Sequence, residues 1–386
     1  MKIENLEFWV GEPSPHFFHP AVCRDNTGLL MTLQTFDGFG DTYGPVMVST
    51  SGQSGVSWSA PVPIPALKTI DLGNGIREGV ADVRPFLHPK TGSVLAIGCN
   101  TYYGKARNIT EDHDFDQDKF RQHPVYAIKT ADGIWSERKA LNHPFFAGSP
   151  DWRVACPQLV VLPDGGVIVP VYFRADSSKS VYSICTIRCS FDGRNLKVER
   201  VGTVLTSDRG RGLLEPSITK LGDTFYLTIR AEDEHGYLAT SADGLTWGSI
   251  EPWRWDDGAV LTTSTTQQHW LSITDRLFLV YTRKDETNGD VMRWRAPLFM
   301  AEFDPARKCL IRATETVVLP LVRKKGIPSL LGNFHVSSLT ADTAMVSDAS
   351  LWIKIEGDCI TEFQSSVWLA RVTAETQEMQ TGGDGD

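Results

Sequence analysis

Apolar residues in this chain come in short runs of four to eight, rich in β-branched and aromatic side chains and bounded by Gly, Asp, Asn or Pro. Such runs predict strands and turns, and no stretch keeps the 3.6-residue period of an amphipathic helix. One unit recurs: a strand, a short polar turn, then a second strand. Its instances are PAVCRDNTGLLMTLQT, VRPFLHPKTGSVLAIG, PQLVVLPDGGVIVPVYF, PSITKLGDTFYLTIR, HWLSITDRLFLVYTR and the weaker HVSSLTADTAMVSDAS, beginning at residues 20, 83, 157, 216, 269 and 335. Between them lies a second punctuation, each time after a strand-like run: STSGQSGVSWS (49–59), KTADGIWS (129–136), CSFDGRNL (189–196), TSADGLTWG (240–248) and AEFDPARKCL (301–310).

Six units over 386 residues average about 64 residues each, the spacing of four-stranded blades, and leave no remainder large enough for another domain. The pattern therefore predicts an all-β fold, a six-bladed propeller of four-stranded antiparallel blades in one domain over 1–375. ENLEFWV near the start and SSVWLARV near the end are both strand-like and are expected to share one blade, closing the ring. The last stretch, 376–386, has the polar, acidic composition of a disordered tail.

Charge narrows the chemistry. A net charge of −9 argues against a nucleic-acid partner, and no run approaches a membrane span or a secretory signal. Seven scattered cysteines without metal-ligand spacing suggest buried thiols in a reducing, cytoplasmic setting. No metal site and no cofactor is expected. The polar insert 106–124 reads as a lengthening of the second blade.

The turn SADGLTW (Ser241, Asp243, Gly244, Trp247) resembles the Asp box of the sialidase superfamily of six-bladed propellers. Ser51, Gly55 and Trp58 form a second likeness, with Gln53 in place of the Asp. The resemblance covers about residues 10–375. It implies a site on the ring axis with three arginines on a substrate carboxylate, an Asp acid/base, and a Tyr nucleophile activated by a Glu. Glu215 opens the fourth inner strand and matches that Glu; Arg230, closing the next strand, matches the second arginine. Arg283 stands in the third arginine's place, with Arg293 and Arg295 as rivals. Asp37 or Asp41 takes the acid/base position.

The chain departs from the family at two places. His19 stands where the first arginine should be, and the sixth unit, LGNFHVSSLT, offers Asn333 and His335 but no tyrosine. In a propeller, the starts of inner strands bring His19, Asp82 or Arg84, Arg153, Glu215, His269 and Asn333 or His335 towards one axial cleft. Histidine moves protons near neutral pH, and arginine presents a planar fork to a carboxylate. Gln268, in the hydroxyl- and amide-rich LTTSTTQQHW, adds a sugar-binding group.

The expected function is a sialidase-like glycoside hydrolase acting on a terminal acidic sugar, sialic-acid-like or uronic. Two alternatives stand beside it: a uronic-acid glycan lyase with an axial histidine as base, and a glycan-binding propeller without catalysis. The expected partner is an acidic carbohydrate; sugar, linkage and oligomeric state stay open.

Overall fold

The computed structural model describes residues 1–11, 15–36, 41–104, 116, 119–175, 181–356 and 359–375, the side chains of 359 and 360 excepted. The expected tail, most of the 106–124 insert and Asp37 lie outside the described residues. Six antiparallel sheets form the ring. Blade 1 runs through His16–Arg24, Leu29–Phe36, Tyr43–Ser51 and Val62–Pro63. Blade 2 is built on Ile76–His88, Ser93–Tyr103 and Pro124–Lys129, and blade 3 on Val167–Phe173, Ser183–Phe191 and Leu196–Val201. Blade 4 holds Leu214–Leu221, Thr224–Arg230, Gly236–Ser241 and Glu251–Pro252. Blade 5 is built on His269–Ile273, Arg276–Tyr281 and Leu298–Asp304. Blade 6 takes His335–Ser338, Thr343–Glu356 and Cys359–Thr373 from the end of the chain and Lys2–Gly11 from its start.

Three sheets have four strands, as expected, and three have five. The added pieces are short: Ile70–Gly73 on blade 2, Trp152–Arg153 with Val160–Val161 on blade 3, and Thr316–Leu319 on blade 5. Ring closure is as the termini suggest. Lys2 pairs with Thr373 and Phe8 with Val367, so the outermost strand of blade 6 is the first of the chain. Closing the ring this way leaves no sheet flank of the ring exposed between first and last blades. The only helical pieces among the described residues are single 3-10 turns, and no helix is long and apolar enough to cross a membrane.

The apolar core is divided among the seams rather than gathered at one centre. Ile97 and Ile128 of blade 2 pack with Val169 and Ile187 of blade 3; Leu227 and Ile229 of blade 4 face Ile168 and Ile184 of blade 3. Trp253 and Trp270 anchor the seam of blades 4 and 5, and Phe334 and Val346 that of blades 5 and 6. Middle strands such as Ser93–Tyr103 and Val167–Phe173 bury both faces, which is why their pattern reads as a nearly continuous apolar run.

The recurrent turns fasten these seams. In 240–248, the Asp243 carboxylate accepts from the N–H groups of Leu245 and Thr246 at 2.8 and 2.6 Å, and Ser241 Oγ accepts from Gly244 N–H at 2.9 Å. Gly244 takes φ +74°, and an added Cβ there would lie 3.1 Å from the Phe225 ring. Trp247 then reaches across the seam to donate to Thr186 Oγ1 of blade 3 at 2.8 Å. In 49–59 the side chain at 53 is Gln; there Ser51 Oγ finds no hydrogen-bond partner, and Trp58 donates only to Gly55 O at 3.0 Å.

Candidate active site

The innermost strands are irregular at the same point in several blades. Pairing slips between Phe18 and Ala21, between Ala81 and Arg84, and between Leu214 and Ser217. Inside each slip one residue takes positive φ: His19 at 51°, Asp82 at 57° and Glu215 at 41°; in blade 3 Cys156 does so at 50°. This conformation costs a non-glycine residue ~1 kcal/mol or more. In His19-Pro20, Cys156-Pro157 and Glu215-Pro216 the following proline disfavours the helical alternatives as well. The surrounding sheets hold the strain, and each bulge turns one side chain out of the strand's alternation. His19, Asp82 and Glu215 thereby converge on one axial cavity of about 550 Å3.

Arginines and carboxylates dominate its lining. Arg153, Arg211, Arg230, Arg293 and Arg295 face Asp41, Asp82, Glu215 and Glu232, with Tyr43, Tyr172, Tyr182, Asn100, Gln122 and Asn333 between them. Arg230 lies in register with Leu214, so its side chain comes round to the neighbouring bulge, and Nη1 donates to Glu215 Oε1 at 2.7 Å. Its Nη2 donates to Thr265 Oγ1 at 3.3 Å. Arg211 forks onto Glu232, with Nη2 to Oε1 at 2.6 Å. Arg153 and Arg174 both bond buried Asp151, at 2.9 and 3.0 Å, and Arg153 lies over the rings of Tyr172 and Tyr182.

Arg293 and Arg295 differ from these. They sit in the loop after Val291, Arg293 itself at φ +54°, and among the described residues no carboxylate comes within 4 Å of either. Arg295 Nε is buried with no hydrogen-bond partner. Burial, then the charges of Arg230 and Arg293, push the Arg295 pKa below the usual guanidinium value. Behind it lies Asp348, fully buried, whose carboxylate accepts from the N–H groups of Gly332 and Ala349, each at 2.7 Å. Burial raises the Asp348 pKa to about 7, against the lowering effect of those hydrogen bonds and of Arg295.

On the opposite wall His19 Nδ1 approaches Asp82 Oδ1 at 3.4 Å, and Cys156 Sγ lies 3.4 Å from the same oxygen. Burial, reinforced by the negative charges of Glu215 and Asp41, raises the Asp82 pKa, while His19 and Cys156 oppose the shift. A carboxyl with a raised pKa is better suited to donating a proton than an ordinary one.

The structure thus brings together His19, Asp82, Arg153, Glu215, Arg230 and Asn333, and of the acid/base alternatives it places Asp41 at the cavity. It carries others away. Arg283 is held outside by Glu315, with Nε and Nη2 donating at 2.8 and 2.6 Å over the Phe299 ring. Gln268 packs against Gly236 and accepts from Thr228 Oγ1 at 2.7 Å, bracing blades 4 and 5. His269 shares a 2.6 Å hydrogen bond with Ser217 Oγ, and with His335 it is completely buried between inner strands. Arg84 lies deeper along the axis, two residues past the bulge that presents Asp82.

Tyr43, Tyr172, Tyr182, Arg211 and Glu232 escape a reading of inner-strand starts, because later strands and connecting loops deliver them. The bulges themselves leave a trace in the text: an ionisable residue or Cys just before Pro at positions 19, 156 and 215.

No protein-family model matches the sequence, and a search of curated proteins finds no match. Solved structures are similar over nearly the whole chain. A protein of unknown function from Dyadobacter fermentans aligns with TM-score 0.61 and 13% identity, covering 95% of this chain and 98% of that one. A Hadza microbial sialidase gives 0.63 and 14%, covering 93% of this chain and 66% of its own. Trypanosoma rangeli sialidase in complex with sialic acid gives 0.60 and 13%, covering 96% and 59%. The chain therefore spans about three fifths to two thirds of these two sialidases, and the likeness is one of fold.

Proposed function

We propose that the axial cavity binds and hydrolyses a terminal acidic sugar. The observation that carries the reading is Arg295: a cation at the cavity wall, beside Arg230 and Arg293, with no carboxylate within 4 Å among the described residues and a buried N–H left unbonded. A bound carboxylate supplies the missing partner, and two or three forked donors make that contact strong and orientation-specific. A solved sialidase of the same fold holds sialic acid, which supports an anionic sugar as the class of ligand.

In this reading Arg230, Arg293 and Arg295 clamp the carboxylate. Asp82, its pKa raised by burial and with His19 beside it, gives a proton to the leaving oxygen. Attack on the anomeric carbon falls to water or to the Tyr172 phenol, with Glu215 as the acceptor of the released proton. Tyr172 lines the cavity within reach of the Glu215 charge, and no tyrosine stands at the start of blade 6.

A second reading rests on His19 beside Asp82, a base and its orienting carboxyl. With the sugar carboxylate neutralised by arginine, His19 removes the adjacent carbon-bound proton and the glycosidic bond breaks by elimination. An aryl sialoside and 4-O-linked uronate oligosaccharides separate the two: hydrolysis releases intact sugars, whereas loss of the C5 proton with departure of the C4 oxygen leaves a 4,5-unsaturated uronate absorbing in the ultraviolet. Release of neither product from a broad panel counts against both and leaves recognition alone.

A further inference from the structure

A second cavity, of about 280 Å3, lies further along the same axis. All six inner strands contribute to it: Cys23, Arg84, Gln158, Ile218, Trp270 and Val336 each come from a different blade. In blades 1, 2 and 4 these residues follow His19, Asp82 and Glu215 of the front cavity along the same strand, and the two linings share no member.

Arg84 is the singular group here. It is 3% exposed. Its Nη2 donates to the Val336 carbonyl and, at 3.4 Å, to Ser337 Oγ, but Nε and Nη1 are buried with no hydrogen-bond partner. Acceptors that might have served it are taken: Gln158 Nε2 donates to the carbonyls of Trp270 and Val336 at 2.6 and 3.2 Å. Among the described residues no carboxylate lies within 4 Å of Arg84. Asp25, on the same side of blade 1, is bound by Lys129 at 2.7 Å. The thiols of Cys23 and Cys156, which feel the Arg84 charge, are kept protonated by burial.

The next layer compounds the imbalance. His269 and His335 stack 6.1 Å apart, both fully buried, and neither nitrogen of His335 has a hydrogen-bond partner. Burial, followed by the charge of Arg84, holds both imidazoles well below the usual histidine range. The axis therefore contains a guanidinium without compensating negative charge and several polar hydrogens without acceptors. An isolated buried ion is among the costliest arrangements in a protein interior.

We propose that Arg84 binds a small monovalent inorganic anion, of halide size, inside this second cavity. The anion accepts from the Arg84 N–H groups that nothing in the protein bonds and neutralises that buried charge. With Arg84 3% exposed, the ligand is limited to an ion that passes between the strands. Since all six blades meet there, its bound state ties the ring together. The proposal is independent of what the front cavity binds.

The test uses the whole chain in sodium gluconate, with chloride replacing gluconate at constant ionic strength. Chloride is expected to raise the Tm saturably, by about 2 °C, in the wild type and in Arg295→Ala but not in Arg84→Met. Equal behaviour in chloride and gluconate overturns the proposal, as does a response lost in Arg295→Ala and kept in Arg84→Met. Should Arg84→Met not fold, crystals of the wild type in sodium bromide decide. An anomalous peak against Arg84 supports the site; its absence there, whatever appears at Arg295, overturns it.

Discussion

Glu215 and Arg230 meet at 2.7 Å across one end of blade 4's inner hairpin, fifteen positions apart in sequence. The contact exists because a bulge at Glu215-Pro216 turns the acid out of its strand while the next strand ends on the arginine opposite. The other Glu215 oxygen, Oε2, is buried without a hydrogen-bond partner in a side chain that lines the cavity, so the pair holds an acceptor in place at the site.

Removing one member of this pair is expected to be costly in two ways. Arg230→Ala leaves a part-buried carboxylate unpaired, and should lower stability by ~1–3 kcal/mol as well as removing a carboxylate ligand. Glu215→Gln keeps the shape and most of the stability but should cut turnover of an acidic glycoside by about 100-fold or more. Denaturant melts alongside initial rates check both. Full activity in both variants refutes the placement.

Arg295→Ala separates ligand binding from folding, because Arg295 makes no ion pair among the described residues. The expected loss is roughly 10- to 100-fold in affinity for an acidic sugar, with Tm nearly unchanged. Calorimetric titration of both proteins gives the comparison, and an unaltered affinity removes Arg295 from the clamp.

Asp348 makes binding pH-dependent. With its pKa raised to about 7, the group is neutral below that pH and leaves the Arg295 charge uncompensated; above it, the carboxylate offsets that charge. Affinity for an anionic sugar should therefore fall as pH rises through about 7, and Asp348→Asn should flatten the profile. Stability moves in the same sense. The folded pKa lies above the unfolded value of 3.8, so this group's contribution is complete below about pH 4 and is lost as pH rises through 7. A wild-type profile identical to that of Asp348→Asn contradicts the assignment.

Gly244 tests the seam fastening. Its φ of +74° and the 3.1 Å approach of the Phe225 ring leave no easy room for a Cβ. Gly244→Ala is expected to destabilise by ~1–3 kcal/mol, without a change in ligand affinity. Thermal melts showing no loss would mean that the turn does not need this conformation.

The ring itself was legible in the sequence, since one strand-turn-strand unit recurring six times and a second turn pattern recurring five times constrain the architecture strongly. Ring closure was legible too, because both termini carry strand text. The site was less so. Strand starts name His19, Asp82 and Glu215, which line the cavity, but residues adjacent in sequence point to opposite faces, and a bulge moves the boundary by one. Hence Asp82 faces the front cavity while Arg84 serves the second one, and His269 and His335 lie inside. Arg283 stands at the end of a second strand as Arg230 does, yet Glu315, from a distant loop, captures it. No local pattern around 283 announces that partner, and the loop that puts Arg295 on the wall instead has neither strand nor helix periodicity.

The most direct measurement of the central claim is a calorimetric titration with free sialic acid and glucuronic acid beside their methyl esters, repeated on Arg295→Ala. The account predicts that at least one acid binds the wild type roughly tenfold or more tightly than its ester, and that Arg295→Ala erases the difference. Equal binding of acid and ester, or no binding of either acid, would contradict it.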